Sequence, residues 1–563
     1  MGERDDAGQS AVYRLADRYV EEKAALDPIF ATSRGLAGHD DRLTDFSPEG
    51  QEALYELARL YWRQMSQLRG AGELSDADRV AAEVVLERLG VEIDQYEAGE
   101  RWRDLRIIGS PVQSVRSVFD LMPRDTPADW ETIAARMEGV PGALAGLEET
   151  LRAGVGRGVT AARRQVEECA AQAQTWSEDQ PFFADLVRTA PAGLDAPLRK
   201  RLEEAAVAAS AAYRELARFL RDEYAPAAGT DDAVGADRYQ LAARSWLGSE
   251  IDPIDTYRWG WSELHRIEAE MAAEADRIVP GGTVEEAKEL LESDPARAVE
   301  GEESLRRWIQ DLMDSTIDEL DGTHFDIPAP VKRVEAMIAP PGGAAAMYYT
   351  PPSEDFSRPG RTWYPTQGRT RFPLWGEVSI AYHEGVPGHH LQIGQVVYLS
   401  GVLSRFQRCV YLGGHSEGWA LYAERLMDEL GYLDVPDYRL GQLRAQAMRA
   451  VRVVVDIGMH LRLAIPPDET FHPGERWDPQ LALGFAEARS HFPSQFMASE
   501  IVRYLGWPAQ AICYKVGERV WLAAREEVRR NKGPAFDLKA FHRAALDLGP
   551  MGLSLLQAEL ARL

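Results

Sequence analysis

The sequence predicts a mostly α-helical protein with one small β-sheet. Apolar residues recur at three- and four-residue spacing over most of the chain. Proline and glycine punctuate those runs at intervals that suit helices of ordinary length. Only residues 331–365 change texture, toward two-residue alternation. At 563 residues the chain can bury a large core and form more than one lobe. The reading divides it into an N-terminal helical lobe, 1–240, and a second lobe, 241–563, within one compact unit.

From Ala11 to about Leu220 the pattern is helical, with strong runs at Gln51–Leu68, Asp76–Gln95, Trp130–Ala153 and Leu198–Tyr224. Pro111, Pro123, Pro127 and Pro181 mark the breaks. A looser stretch, Ala225–Ala236, precedes Tyr239–Leu247 and a long run at Pro253–Ile278; Gly281–Leu320 is again helical and acidic. Val331–Met347 and Ala344–Tyr349 read as a short hairpin about the Pro340-Pro341-Gly342-Gly343 turn, with a further strand at Thr362–Pro365. Helices return over 376–530, as Gly376–Val386, His389–Val402, Gly414–Leu430, Tyr438–Leu463, Pro479–Ala486, Pro493–Leu505 and Pro508–Arg530, with Leu538–Leu546 beyond.

Composition excludes several function classes. The 63 basic and 90 acidic residues give a formal charge of −27, the wrong sign for a nucleic-acid partner. Three dispersed cysteines, Cys169, Cys409 and Cys513, make neither a disulfide framework nor a thiolate zinc site. The first twenty residues carry no basic-then-apolar leader, and no apolar run is long enough for a membrane span. The expected setting is cytoplasmic.

Chemistry concentrates in Tyr382-His383-Glu384-Gly385-Val386-Pro387-Gly388-His389-His390. In an H-E-x-x-H helix, two histidines one turn apart bind zinc and the glutamate serves as general base toward a water. Here Pro387 stands where the second histidine belongs. On an unbroken helix His389 would point about 240° away from His383, and His390 would lie about 10.5 Å further along the axis. An unbroken helix therefore makes no site. A break at Pro387-Gly388 could bring a histidine back to the metal. His389, directly after the glycine, is the favoured ligand and His390 a pocket residue, with the reverse as the alternative. A third ligand is expected on the next helix, where Glu417 and Glu424 lie seven apart on one face. Glu417 is the ligand candidate; Glu424 either orients a histidine or arginine behind it or is a solvated charge beside Arg425.

The pattern H-E-x-x-P-G-H-x-x-Q (His383–Gln392), followed by E-G-W-A-L-Y-A-E (Glu417–Glu424), resembles the bacterial domain-of-unknown-function 885 family. Tyr348-Tyr349, Pro351-Pro352-Ser353, Ser357–Gly360, Arg503-Tyr504, Trp507-Pro508-x-Gln510 and Tyr514-Lys515-x-Gly517 agree with it. The resemblance implies a zincin-like, mostly α-helical metallopeptidase fold, akin to thimet-type oligopeptidases and angiotensin-converting enzyme. A small sheet would border a deep cleft, and a glutamate on the following helix would complete the ligand set. Ala509 stands where the family often has glycine, with little consequence expected.

Other polar residues are weighed against that picture. Tyr514 and Tyr504 are candidates for the phenol that stabilises an oxyanion, Tyr514 preferred because it follows Gln510 by four. Each could equally be a half-buried core tyrosine. Arg449, Arg452, Asp456 and His460 form a polar stripe on an apolar helix, either a carboxylate clamp or an ion-pair network. Arg358 and Arg361 are a second clamp candidate. Tyr348 and Tyr349 are expected to line the cleft, while His415 and His491 read as structural.

The expected function is a one-zinc hydrolase of an amide bond in a short peptide or peptide-like metabolite. His383, His389 and Glu417 hold Zn2+, Glu384 is the base, and a homodimer is compatible. The rivals are a metal-dependent hydrolase of a non-peptide small molecule and a non-catalytic zincin-like scaffold.

Overall fold

In a computed structural model that describes residues 9–339 and 347–563, helices take up most of the chain. Their starts follow local chemistry. Ser47, Asp195 and Asp252 each accept backbone N–H bonds at the head of a helix whose first turn carries proline. Among the described residues no helix is long and apolar enough to cross a membrane.

The chain divides into two units. The first holds Met1–Leu241 together with Ser499–Trp507. Its core sets Leu202, Tyr213 and Leu216 of helix Ala196–Phe219 among Trp130, Ile133, Leu144 and Leu147. The expected run at 130–153 is two helices, Pro127–Glu138 and Val140–Gly156. Pro141, lacking an N–H, starts the second afresh.

The second unit holds Ala242–Ala498 and Pro508–Leu563. Helix Pro436–Leu461 runs through its core, buried without interruption from Ala445 to His460. Helices Gly413–Glu429 and Cys513–Lys532 pack backbone to backbone. A Cβ on Gly418 would lie 2.5 Å from Gly517 Cα, so the contact exists only because both are glycine.

The sheet differs from expectation. β2 (Val334–Ile338) and β3 (Tyr348–Thr350) do not pair with each other. Strand β4 (Gly360–Tyr364) lies between them, parallel to β2 and antiparallel to β3. The buried face of β4, Gly360, Thr362 and Tyr364, gives it the central place. The Pro340–Gly343 turn lies outside the described residues. A second sheet, unforeseen, pairs β1 (Ala298–Glu300), inside the Gly281–Leu320 stretch read as helical, with β5 (Arg371–Pro373).

The helix expected from Pro508 begins only at Cys513. Residues 508–512 form turns, with Ala509 in the left-handed region at φ 62° and its N–H donated to Asp456 Oδ2 at 3.0 Å. The left-handed region favours glycine, so the alanine here carries a conformational cost.

Candidate metal centre

Helix Glu377–Glu384 ends one residue after His383, and a new helix, His389–Tyr398, begins at His389. The four residues between form a tight turn through a cis Val386–Pro387 bond. Gly388 N–H donates to Tyr382 O at 3.0 Å and His390 N–H to Gly385 O at 3.1 Å. Trp419 Nε1 donates to Pro387 O at 2.8 Å, pinning the turn from the next helix. A Cβ on Gly388 would sit 2.0 Å from His383 O, so no side chain fits there. The Pro-Gly interruption is a built turn, and it sets the His383 and His389 rings 4.8 Å apart.

Glu417, on helix Gly413–Glu429, completes the cluster. His383 Nε2 and His389 Nε2 each lie 3.4 Å from the same Glu417 oxygen, Oε2. The three ligand atoms fall within 4.8 Å of one another. A tetrahedral ion with ligands at about 2.0–2.1 Å separates neighbouring ligand atoms by roughly 3.3–3.4 Å, and the two histidine–Glu417 separations match that spacing. The other ring nitrogens are held from behind. His383 Nδ1 meets Glu424 Oε1 at 2.8 Å, and His389 Nδ1 meets Ser416 Oγ at 3.4 Å. Both Nε2 atoms are thereby left facing Glu417.

Glu424 is not a solvated surface charge; it is buried beneath the site. Its carboxylate accepts from Ser379 Oγ at 2.5 Å and from Arg449 Nη1 at 2.9 and 3.2 Å. Arg449 is therefore part of the ion-pair network, not a clamp with a free guanidinium. Burial disfavours charge on Glu424, but Arg449 and His383 outweigh it and lower its pKa. Burial likewise opposes a proton on His383, yet the Glu417 and Glu424 carboxylates raise its pKa to about 9. Glu417, despite burial, is held well below the carboxylate range by His383 and His389. Two histidines competing for one buried carboxylate is an arrangement that a divalent cation satisfies in place of protons.

His390 is decided by its partners. Its Nε2 donates to Val331 O at 2.7 Å, and its Nδ1 accepts from Tyr349 Oη at 2.9 Å. Burial lowers its pKa to about 4, with the Val331 bond opposing. A neutral imidazole with both nitrogens bonded is an anchor between helix and sheet, not a ligand or a substrate contact. Tyr349 serves that anchor, and Tyr348 stacks on Trp363 at 5.8 Å.

The remaining candidates scatter. Glu384 is buried beside His383. Arg452 places its guanidinium 4.7 Å over the Tyr514 ring. Gln510 lies in the turn before the helix that carries Tyr514, so the two do not share a helix face. Tyr504 groups with the first unit, and its hydroxyl donates to Glu500 at 2.8 Å. Arg361 pairs with Glu335 at 2.8 Å, while Arg358 is exposed, its guanidinium 3.4 Å from the Pro359 carbonyl. His415 takes a bond from Gln392 Nε2 at 3.1 Å and His491 meets Glu285 at 3.0 Å, both structural. Ser379, Ser416 and Tyr411 escaped the sequence reading; the Tyr411 hydroxyl lies 3.4 Å from Glu417 Oε1. Tyr411 belongs to none of the motif blocks, and nothing in its spacing marks it.

Comparison with known proteins finds no match among curated proteins. Two solved structures share the fold. One is described as "the putative lipoprotein from Colwellia psychrerythraea"; it is 23% identical, with 98% of each chain covered and a TM-score of 0.83. The other, "a putative lipoprotein of unknown function from Shewanella oneidensis", is 17% identical, with 98% of this chain and 99% of that one covered and a TM-score of 0.75. The model of the family described as "Bacterial protein of unknown function (DUF885)" matches residues 28–560. Spanning nearly the whole chain, that match makes this protein a member of the DUF885 family.

Proposed function

We propose that this protein is a single-zinc hydrolase of amide bonds in short peptides or peptide-like metabolites, with a zincin-like fold akin to thimet-type oligopeptidases and a cleft at the metal centre. One observation carries the reading: His383 and His389 each approach the same Glu417 oxygen at 3.4 Å, with Glu424 set behind. His383, His389 and Glu417 would hold one Zn2+, which when bound polarises a carbonyl and lowers the pKa of a water toward about 7.

The chain's own groups do the rest. Glu384, next to a ligand and buried, takes a proton from the attacking water and returns it to the leaving amine. Glu424, Ser379 and Arg449 fix the tautomer and tilt of His383. Tyr514, its ring braced by Arg452, is the phenol assigned to the developing oxyanion. Tyr504 drops out of that role, because its hydroxyl is bonded to Glu500. For a substrate carboxylate the reading turns to Arg358, since Arg361 and Arg449 are paired with Glu335 and Glu424. A small peptide is the expected partner. The cytoplasmic setting and a homodimer accompany this reading as expectations.

The test is direct. The purified protein should carry zinc near one equivalent, and Glu384→Gln should keep that zinc while losing turnover on a panel of N-acylated dipeptides and other acylated amines. Turnover retained by Glu384→Gln, or no zinc bound by the parent chain, sinks the reading.

A further inference from the structure

Glu417 presents its two oxygens to different neighbours. Oε2 faces the Nε2 atoms of His383 and His389, and Oε1 faces the Tyr411 hydroxyl, all three at 3.4 Å. Among the described residues no other hydrogen-bond donor reaches Oε1. Glu424, behind the site, differs, since both of its oxygens are claimed by His383, Ser379 and Arg449. The outer oxygen of Glu417 therefore depends on one phenol.

The chain around Tyr411 holds it in place. It lies in the short loop between helices Arg405–Cys409 and Gly413–Glu429. Leu412, next to it, is 1% exposed, and its carbonyl accepts from Ser416 N–H at 2.9 Å. A Cβ on Gly413 would lie 2.8 Å from Cys513 Sγ, and one on Gly414 would lie 2.9 Å from Leu553 Cδ1, so the head of the helix is packed without slack. The Tyr411 ring is itself 50% exposed, whereas the Glu417 side chain is 12% exposed. A half-exposed ring adds little to the core, and its hydroxyl reaches inward to the carboxylate.

A carboxylate can ligate through one oxygen or through both. A phenol is protonated at neutral pH and donates a single hydrogen bond. Spent on Oε1, that bond withdraws one oxygen and leaves Oε2, the atom that both histidines face. We propose that Tyr411 is a positioning residue that keeps Glu417 a one-oxygen ligand and so preserves the open fourth position where a water binds. This rests on His383, His389 and Glu417 being the metal ligands. Without the hydroxyl, Oε1 can turn inward and add a further ligand atom.

Tyr411→Phe removes only the hydroxyl, and Co2+ loaded in place of Zn2+ reports coordination without any turnover. Its visible absorption is strong in a four-coordinate site and weak in a five- or six-coordinate one. At full occupancy the Co2+-loaded parent should absorb strongly, and Tyr411→Phe should lose most of that intensity. The urea midpoint of the metal-free protein should stay where it is. A spectrum that Tyr411→Phe leaves unchanged overturns the inference, and a lowered midpoint beside it would make the hydroxyl a brace for the loop. A weak spectrum from the parent overturns it too, because Glu417 would then not be held to one oxygen. If the parent binds neither Zn2+ nor Co2+, the metal reading fails and takes the inference with it. If the spectra differ as expected but the parent cleaves no amide, the inference stands and the hydrolase reading fails instead.

Discussion

Glu424→Gln separates a histidine held for a metal from a merely buried ion pair. The change keeps the shape of the side chain and removes its charge. In the parent protein Glu424 meets His383 Nδ1 at 2.8 Å, takes Arg449 at 2.9 Å and Ser379 at 2.5 Å, and is 1% exposed. A carboxylate behind a ligand histidine fixes its tautomer and raises its basicity, and losing such a partner costs about 10- to 100-fold in metal affinity. That corresponds to roughly 1.4–2.8 kcal/mol. A second effect acts on the metal-free fold, because Arg449 keeps its charge in a buried place. Removing one partner of a buried pair costs about 3–5 kcal/mol, and a retained amide acceptor favours the lower end, near 3. Zinc affinity should be measured by competition with a chromophoric chelator at pH 7.5, and stability of the metal-free protein by urea unfolding. Ser379→Ala provides a milder step, about 1 kcal/mol for one hydrogen bond. If zinc affinity is unchanged by Glu424→Gln while His383→Ala abolishes it, then Glu424 does not orient the ligand and the reasoning fails.

Three further outcomes are expected. His389→Ala should abolish zinc binding, whereas His390→Ala should retain zinc but unfold at lower denaturant, by about 2–4 kcal/mol, because Val331 O and Tyr349 Oη lose a buried partner; metal analysis and urea titration of the two variants check this. Ala509→Gly should stabilise the protein by about 0.5–1 kcal/mol, since φ 62° suits glycine, and a fall in the unfolding midpoint would count against it. His542 predicts a pH dependence of stability. Burial pushes its pKa down to about 3, with the His324 carbonyl opposing, while it accepts from Tyr422 Oη at 2.7 Å. The unfolded chain takes up this proton near pH 6.5 and the folded one only near 3, so protonation favours unfolding. The His542 contribution is complete above about pH 6.5 and declines by about 1.4 kcal/mol per unit below it, roughly 2 kcal/mol at pH 5. Unfolding free energies at pH 7 and pH 5 should therefore differ less for His542→Gln than for the parent, by about that amount.

The sequence by itself determined the helices and the identities of the ligand candidates. Caps, prolines and three-to-four spacing are local signals, and His383, Glu384 and Glu417 are placed by helix geometry within a short span of chain. Gly388 is also legible as a breaking point. Other features depend on atoms far away in the chain. Which of His389 and His390 turns inward is decided by Val331 and Tyr349, whose bonds claim both nitrogens of His390. The partner of β2 is β4 and not the nearer β3, because strand order answers to which face is buried and not to proximity in sequence. Glu424 becomes the support for His383 only when helix Pro436–Leu461 brings Arg449 against it. Tyr411 reaches the centre through a loop, outside any helical period. Tertiary structure decided these points because a hydrogen bond between distant segments leaves no periodic mark on either of them.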